Sequence, residues 1–232
     1  FCPGWRAMSE ISILLTGYSN GGNPGTDIFT MKCDSQGGRI WTSRYTGSGD
    51  GRGVGLIVDA TGNIFVAGFT DNGVARSDFV TIRYNRDGTE NWARTYNGPD
   101  NGEDKAVGIA ADGHGNLYVT GFSAGANLGY DYLTIKYGRD GTVLWTQRYD
   151  NPSFGDDISS GIAVNTEGDV YVTGYSRLNA TRAFDILTLR YSPSGNVEHV
   201  DRYNRSGKND LASAITASSA GDVFVTGESE EI

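Results

Sequence analysis

The chain is short of several residue types. Its 232 residues include two cysteines, two histidines and five prolines. His114 stands in the turn-like "DGHGN" and His199 in a slot that other copies of the same phrase give to tryptophan, so the two form neither a zinc site nor a nucleophile–base triad. Basic residues are in deficit, 19 against 28 acidic, for a net charge of −9. That balance disfavours nucleic acid, whose phosphates demand a basic stripe. No apolar run approaches the roughly 18–20 residues of a membrane span. The opening "FCPGWRAMSE" lacks a basic segment followed by an apolar one and is no signal peptide. The expectation is a removed leader or a segment that starts partway into something longer, and the phase of the repeats favours the second.

Glycine, in contrast, is abundant at 34 residues, beside 13 tyrosines and 9 phenylalanines, which describes turn-rich globular β structure and not a disordered tract. Nearly the same phrase is written four times: "TDIFTMKCDSQGGRIWTSRY", "SDFVTIRYNRDGTENWARTY", "YDYLTIKYGRDGTVLWTQRY" and "FDILTLRYSPSGNVEHVDRY". The glycines of the "TG" and "AG" pairs, Gly17, Gly68, Gly121, Gly174 and Gly227, are 51, 53, 53 and 53 residues apart. Such a period, with several short strands in each copy, is the mark of propeller blades. The predicted fold class is all-β, a β-propeller of four-stranded antiparallel blades. Residues 1–10 form a non-repeat segment and 11–232 the repeat domain. Three complete blades with three strands before and two after make about seventeen strands, an arc of about four blades cut from a longer propeller. The alternative is a small closed ring in which "ITASSAGDVFVTG" completes the blade begun near residue 11.

Two kinds of connection alternate. First and second strands are joined by "DATGN", "DGHGN", "NTEGD" and "SSAGD", third and fourth by turns such as "NRDGT" and "GRDGT", with Gly88 and Gly141 supplying positive φ. The second-to-third loops and the blade-to-blade loops ("TGSGDGRG", "NGPDNGED", "NPSFGDD", "NRSGKND") differ from copy to copy. In an up-and-down meander the tight turns emerge on one face and the variable loops on the other. Variable loops gathered on one face are where a repeat protein usually binds.

The units "DATGNIFVAGFT", "DGHGNLYVTGFS" and "NTEGDVYVTGYS", followed by "D..T.[KR]Y...G...W..RY", resemble the bacterial β-propeller repeat called SBBP, found in secreted and surface proteins. "GIAAD" at 108–112 and "GIAVN" at 161–165 are similar to the channel-lining strand of NHL repeats. The resemblance covers about residues 11–232. It implies an extracellular or cell-surface bacterial protein.

A residue present in every blade normally serves the fold, whereas catalysis shows itself as an exception to the pattern. No convincing exception emerges, and the expectation is a non-enzymatic binding scaffold without catalytic or cofactor-binding residues. The runner-up is a propeller domain of a secreted polysaccharide-active or quinone-dependent enzyme whose catalytic residues lie largely outside this chain. Asp27, Asp78, Asp131 and Asp185 recur at the head of the third strand and are expected to cap backbone N–H groups of a loop. Lys32, Arg83, Lys136 and Arg190 form a cationic column expected to reach turn carboxylates or water. Cys33 replaces Tyr84, Tyr137 and Tyr191 and reads as a packing residue. The candidate ligand-binding residues are acidic loop residues: Asp100, Glu103 and Asp104 in "GPDNGED", Asp156 and Asp157 in "FGDD". Their oxygens suit Ca²⁺, but neither loop reproduces an EF-hand, so calcium is a weak expectation. A glycan, a protein or extracellular matrix is the expected partner class.

Overall fold

The computed structural model describes residues 12–20, 25–71, 76–125, 129–151, 155–177, 183–205, 207–218 and 221–230. Residues 1–10 with Cys2, much of the second-to-third loops and residues 152–154 lie outside the described residues. Seventeen strands form five antiparallel sheets in chain order. The first holds β1 (Ser12–Asn20), β2 (Thr26–Asp34) and β3 (Arg39–Tyr45); the second β4 (Gly51–Val58), β5 (Ile64–Asp71), β6 (Ser77–Tyr84) and β7 (Glu90–Tyr96). The third is β8 (Asp104–Ala111), β9 (Leu117–Ala124), β10 (Tyr130–Tyr137) and β11 (Val143–Tyr149). The fourth is β12 (Asp157–Val164), β13 (Val170–Arg177), β14 (Phe184–Tyr191) and β15 (Val197–Tyr203), and the fifth β16 (Asp210–Ala217) with β17 (Val223–Ser229). Each is a simple meander packed on its successor. The last two strands form a sheet of their own and do not complete the first, so the small closed ring is not formed. No helix among the described residues is long and apolar enough to cross a membrane.

The repeat is an instruction for stacking. Third strands carry apolar side chains toward both flanks: in β10, Leu133, Ile135 and Tyr137 join one core cluster while Tyr132 joins the next. Two-sided burial of this kind requires a sheet on each side. First strands meet through glycine. A Cβ on Gly55, Gly108 or Gly161 would lie 3.2 Å from a methyl of Ile109, Ile162 or Ile215 of the following sheet. That Gly–Ile contact is the physical content of the "GIA" phrase.

Fourth strands clamp the next blade. The indole N–H of Trp41 donates to Arg86 O (3.2 Å), that of Trp92 to Arg139 O (3.3 Å) and that of Trp145 to Pro193 O (3.1 Å). Beneath each ring lies the glycine of the next sheet's third-to-fourth turn. Gly88 and Gly141 hold φ of +87° and +81°, and a Cβ on either would fall within 2.8 Å of the indole. Glycine is therefore required there twice over, by backbone and by close approach. The cationic column joins the clamp: Arg83 donates to Arg139 O (3.0 Å) and Lys136 to Pro193 O (2.8 Å), carbonyls instead of the expected carboxylates or water. Arg190 pairs with Asp169 (2.7 Å) and Glu198 (3.3 Å), as expected of the column. His199, expected to pack, is exposed, because the fifth sheet has no third-to-fourth turn for it to cover. Arg190 and His199 face a cavity of about 380 Å³ that Val223 and Val225 also line.

Candidate functional site

The two ends of the sheets differ as the loop lengths suggest. At the tight-turn end one turn is built four times: Gly62, Gly115, Gly168 and Gly221 donate back to the carbonyls of Asp59, Asp112, Asn165 and Ser218. The side chains that open these turns accept backbone N–H groups, Asp59 from Thr61 (2.8 Å) and Asn63 (2.9 Å), Asp112 from His114 and Asn116 (both 2.9 Å). A cavity of about 360 Å³ between the second and third sheets is lined by Asp59, Asp112, His114 and Arg139. Its carboxylates serve their own turns, and Asp59 also accepts from Arg139 (3.3 Å) and Asp112 from Tyr118 OH (3.0 Å). Burial raises the Asp59 pKa, but the bonds from Asn63 and Thr61 outweigh it and hold the group well below the usual range.

The variable end carries a polar row that crosses the third and fourth sheets. Asp104 of β8 is paired with Ser123 of β9, and Ser123 with Asp131 of β10; Asp157, Ser176 and Asp185 repeat the row one blade on. From β11, Arg148 donates to Ser123 Oγ (2.7 Å) and Asp131 Oδ2 (2.5 Å). From β15, Arg202 donates to Ser176 Oγ (3.0 Å) and Asp185 Oδ2 (3.1 Å). Arg44 makes the same reach to Ser19 (3.2 Å), with Asp27 at 3.6 Å. The aspartates heading the third strand were expected to cap backbone; the described bonds of Asp131 and Asp185 instead run to side chains, chiefly the arginine 17 residues later. That arginine stands in the recurring "RY", and its fixed offset from the aspartate was the available signal. Where it is lost, at Thr95, the head of the first strand is also changed, to Gly51.

Backbone capping falls to the first-strand aspartates. Asp104 Oδ2 accepts Gly98 N, Asp157 Oδ2 accepts Asn151 N and Asp210 Oδ2 accepts Arg205 N, each at 2.7 Å. All three residues are fully buried, and Oδ1 of each has no hydrogen-bond partner. Burial pushes the Asp104 carboxyl up against the pull of Gly98, Ser123 and Arg148. It pushes Asp157 up to about 6, with Ser176 and Asn151 pulling down and Asp131 pushing further up.

The five candidate ligand residues are thus of two kinds. Asp104 and Asp157 are buried at successive blade seams. Asp100 is exposed, Asp156 lies 3.8 Å from Arg177, and Glu103 accepts from Lys105 and from Tyr130 OH (2.5 Å). Asp157 does meet other carboxylates, from residues outside the candidate set: its oxygen and those of Asp131 and Asp150 lie within 4.8 Å of one another. Asp131 and Asp157 are buried and Asp150 is exposed. In the sequence, Asp131 belongs to a recurring structural column, and Asp150, the residue after β11, carries no signal of its own.

No family model matches the chain, and no curated protein matches it in sequence. Among solved structures it is similar to a neuraminidase-like protein from A/bat/Guatemala/164/2009, at 12% identity and a TM-score of 0.54, over 90% of this chain and 60% of that one. The exo-β-1,3-galactanase (described as putative) from Bifidobacterium bifidum s17 is matched at 13% identity and a TM-score of 0.48 over 91% of this chain and 74% of that one. The Pan2 WD40 domain of Neurospora crassa is matched at 8% identity and a TM-score of 0.40, over 90% of this chain and 89% of that one. The chain spans about 60% of the length of the neuraminidase-like protein, and at this identity the likeness carries the fold alone: a β-propeller arrangement of antiparallel sheets, in an open arc.

Proposed function

We propose that this chain is a non-enzymatic β-propeller segment of the SBBP kind, from a secreted or cell-surface protein, that binds a glycan, protein or matrix partner through its variable-loop face. The observation that carries the reading is the division of labour between the two ends. One end repeats a single turn, with its polar side chains engaged in hydrogen bonds; the other carries loops of changing sequence above a polar row that recurs in the third and fourth sheets. Loops on a rigid repeat scaffold supply recognition without disturbing the core.

The buried caps restrict the test to Asp100, which is exposed, and Asp156, which is half-buried and accepts Tyr130 N at 3.3 Å. Replacing Asp100 and Asp156 together with alanine leaves the fold intact, and binding to glycan arrays and immobilised matrix proteins is expected to fall at least about tenfold for any hit, the loss of roughly 1.4 kcal/mol. Unchanged binding to every hit refutes the assignment to this face. Turnover of a polysaccharide by these 232 residues would favour the enzyme reading instead.

A further inference from the structure

The variable loop between the second and third sheets holds two Asn-Gly pairs, Asn97-Gly98 and Asn101-Gly102, and both asparagines are exposed. An asparagine followed by glycine is open to self-modification, because no side chain shields the glycine nitrogen from the carboxamide before it. Once that N–H gives up its proton, the nitrogen attacks the asparagine Cγ. The new N–Cγ bond closes a succinimide and ammonia leaves; water then opens the ring to aspartate or isoaspartate. The two pairs are written alike, and the fold treats them differently. Gly98 N is tied to Oδ2 of the fully buried Asp104 at 2.7 Å. Attack on Asn97 must first break a hydrogen bond to a carboxylate, worth roughly 1.5–3 kcal/mol, and the same negative charge opposes loss of the proton.

The second pair is set the other way. Among the described residues, Gly102 N donates to no acceptor. The Arg76 guanidinium donates to Asn101 O, the carbonyl of the same peptide group, and draws electron density from Gly102 N. Asn97 Nδ2 donates to Asn101 Oδ1 at 2.7 Å, the oxygen on which negative charge gathers when Cγ is attacked. Asn101 also holds φ of +47°, alone among the described non-glycine residues, a left-handed backbone that asparagine adopts at some cost. Its neighbour is fixed as glycine by packing, since a Cβ on Gly102 would lie 2.2 Å from Ala124 Cβ.

We propose that Asn101 is a site of spontaneous deamidation, and that Asn97 in the same loop is protected from it by Asp104. The product places a new carboxylate beside Asp100 on the variable end. Where the ring opens to isoaspartate, the backbone between positions 101 and 102 also gains a methylene, which presses on the contact between Gly102 and Ala124. The chemistry needs only water, and it stands whether or not that end binds a partner.

The test is a time course of the whole chain in mildly alkaline buffer, folded and in urea, read by peptide mapping and mass spectrometry with aspartate and isoaspartate resolved. Two further Asn-Gly pairs, at 20–21 and 72–73, extend outside the described residues, and mapping reads them separately. In the folded chain Asn101 is expected to convert at least about tenfold faster than Asn97, the factor that about 1.4 kcal/mol supplies. In urea, where the loop geometry is gone, the two rates are expected to converge. Asp104→Asn keeps an acceptor for Gly98 N and removes the charge; it is expected to speed Asn97 severalfold and to leave Asn101 unchanged. A folded chain in which Asn101 does not convert overturns the proposal, and so do equal rates at the two sites. A difference that persists in urea overturns it too, by assigning the selectivity to sequence and not to the fold, as does an Asn97 rate that Asp104→Asn leaves unmoved.

Discussion

At the scale of single residues, the variable face rests on carboxylates that the fold keeps from water. Asp104 is the clearest case. Burial raises its pKa above the ordinary value, Glu103 adds to that, and Gly98, Ser123 and Arg148 only partly offset it. The folded state therefore holds the Asp104 proton more tightly than the unfolded chain does. This contribution to stability is present below the unfolded pKa and is lost as pH rises through the raised folded value. Asparagine keeps an acceptor for the Gly98 N–H and cannot titrate. The urea midpoint of the wild type should fall more between about pH 4 and about pH 7 than that of Asp104→Asn. Equal slopes would contradict a strained, buried carboxylate. The candidate residues were legible in sequence as acidic loop positions, but burial was not. A first-strand aspartate and a loop aspartate look alike until the register of β8 and β12 buries Asp104 and Asp157 fully while Asp100 stays exposed and Asp156 half-buried.

At the scale of elements, the unit of assembly is the contact between a fourth strand and the following turn. A tryptophan caps a glycine, its N–H reaches a turn carbonyl, and a third-strand cation reaches the same carbonyl. Trp145 makes this contact over Gly195 and also meets the rings of Tyr118 and Tyr191, at 5.9 Å each. His199 has no turn beneath it. The two positions hold the same column in the sequence, so the exchange of residues between them is informative. Trp145→His is expected to cost about 2–3 kcal/mol, the loss of a large packed ring. His199→Trp is expected to change stability by less than about 0.5 kcal/mol. Denaturant titrations of both variants read this directly, and a large gain in His199→Trp would refute the clamp. Strand order, turn positions and the Trp and Gly columns were all readable, because each is local and recurs in phase. The pairing of Asp131 with Arg148 and the gathering of Asp131, Asp150 and Asp157 were not, since both depend on which side chains a pleat turns toward a seam.

At the scale of the whole molecule, the account is one of stacking: sheets that need neighbours on both sides, arranged in an open arc with a three-stranded sheet at one end and a two-stranded sheet at the other. The outer flanks show the consequence, with Ile13, Leu15 and Tyr18 on β1 and Phe224 on β17 exposed while the third strands of the interior sheets are nearly dry. In such a quasi-one-dimensional repeat, stability is set by interfaces between neighbours and declines toward unpartnered ends. Native-state hydrogen exchange resolved by segment tests this most directly. The slowest exchange is predicted for β6, β10 and β14, with progressively faster exchange in β1–β3 and fastest in β16 and β17. Protection in β1 and β17 equal to that of β10 would mean that the ends are covered by each other, and would contradict the open arc.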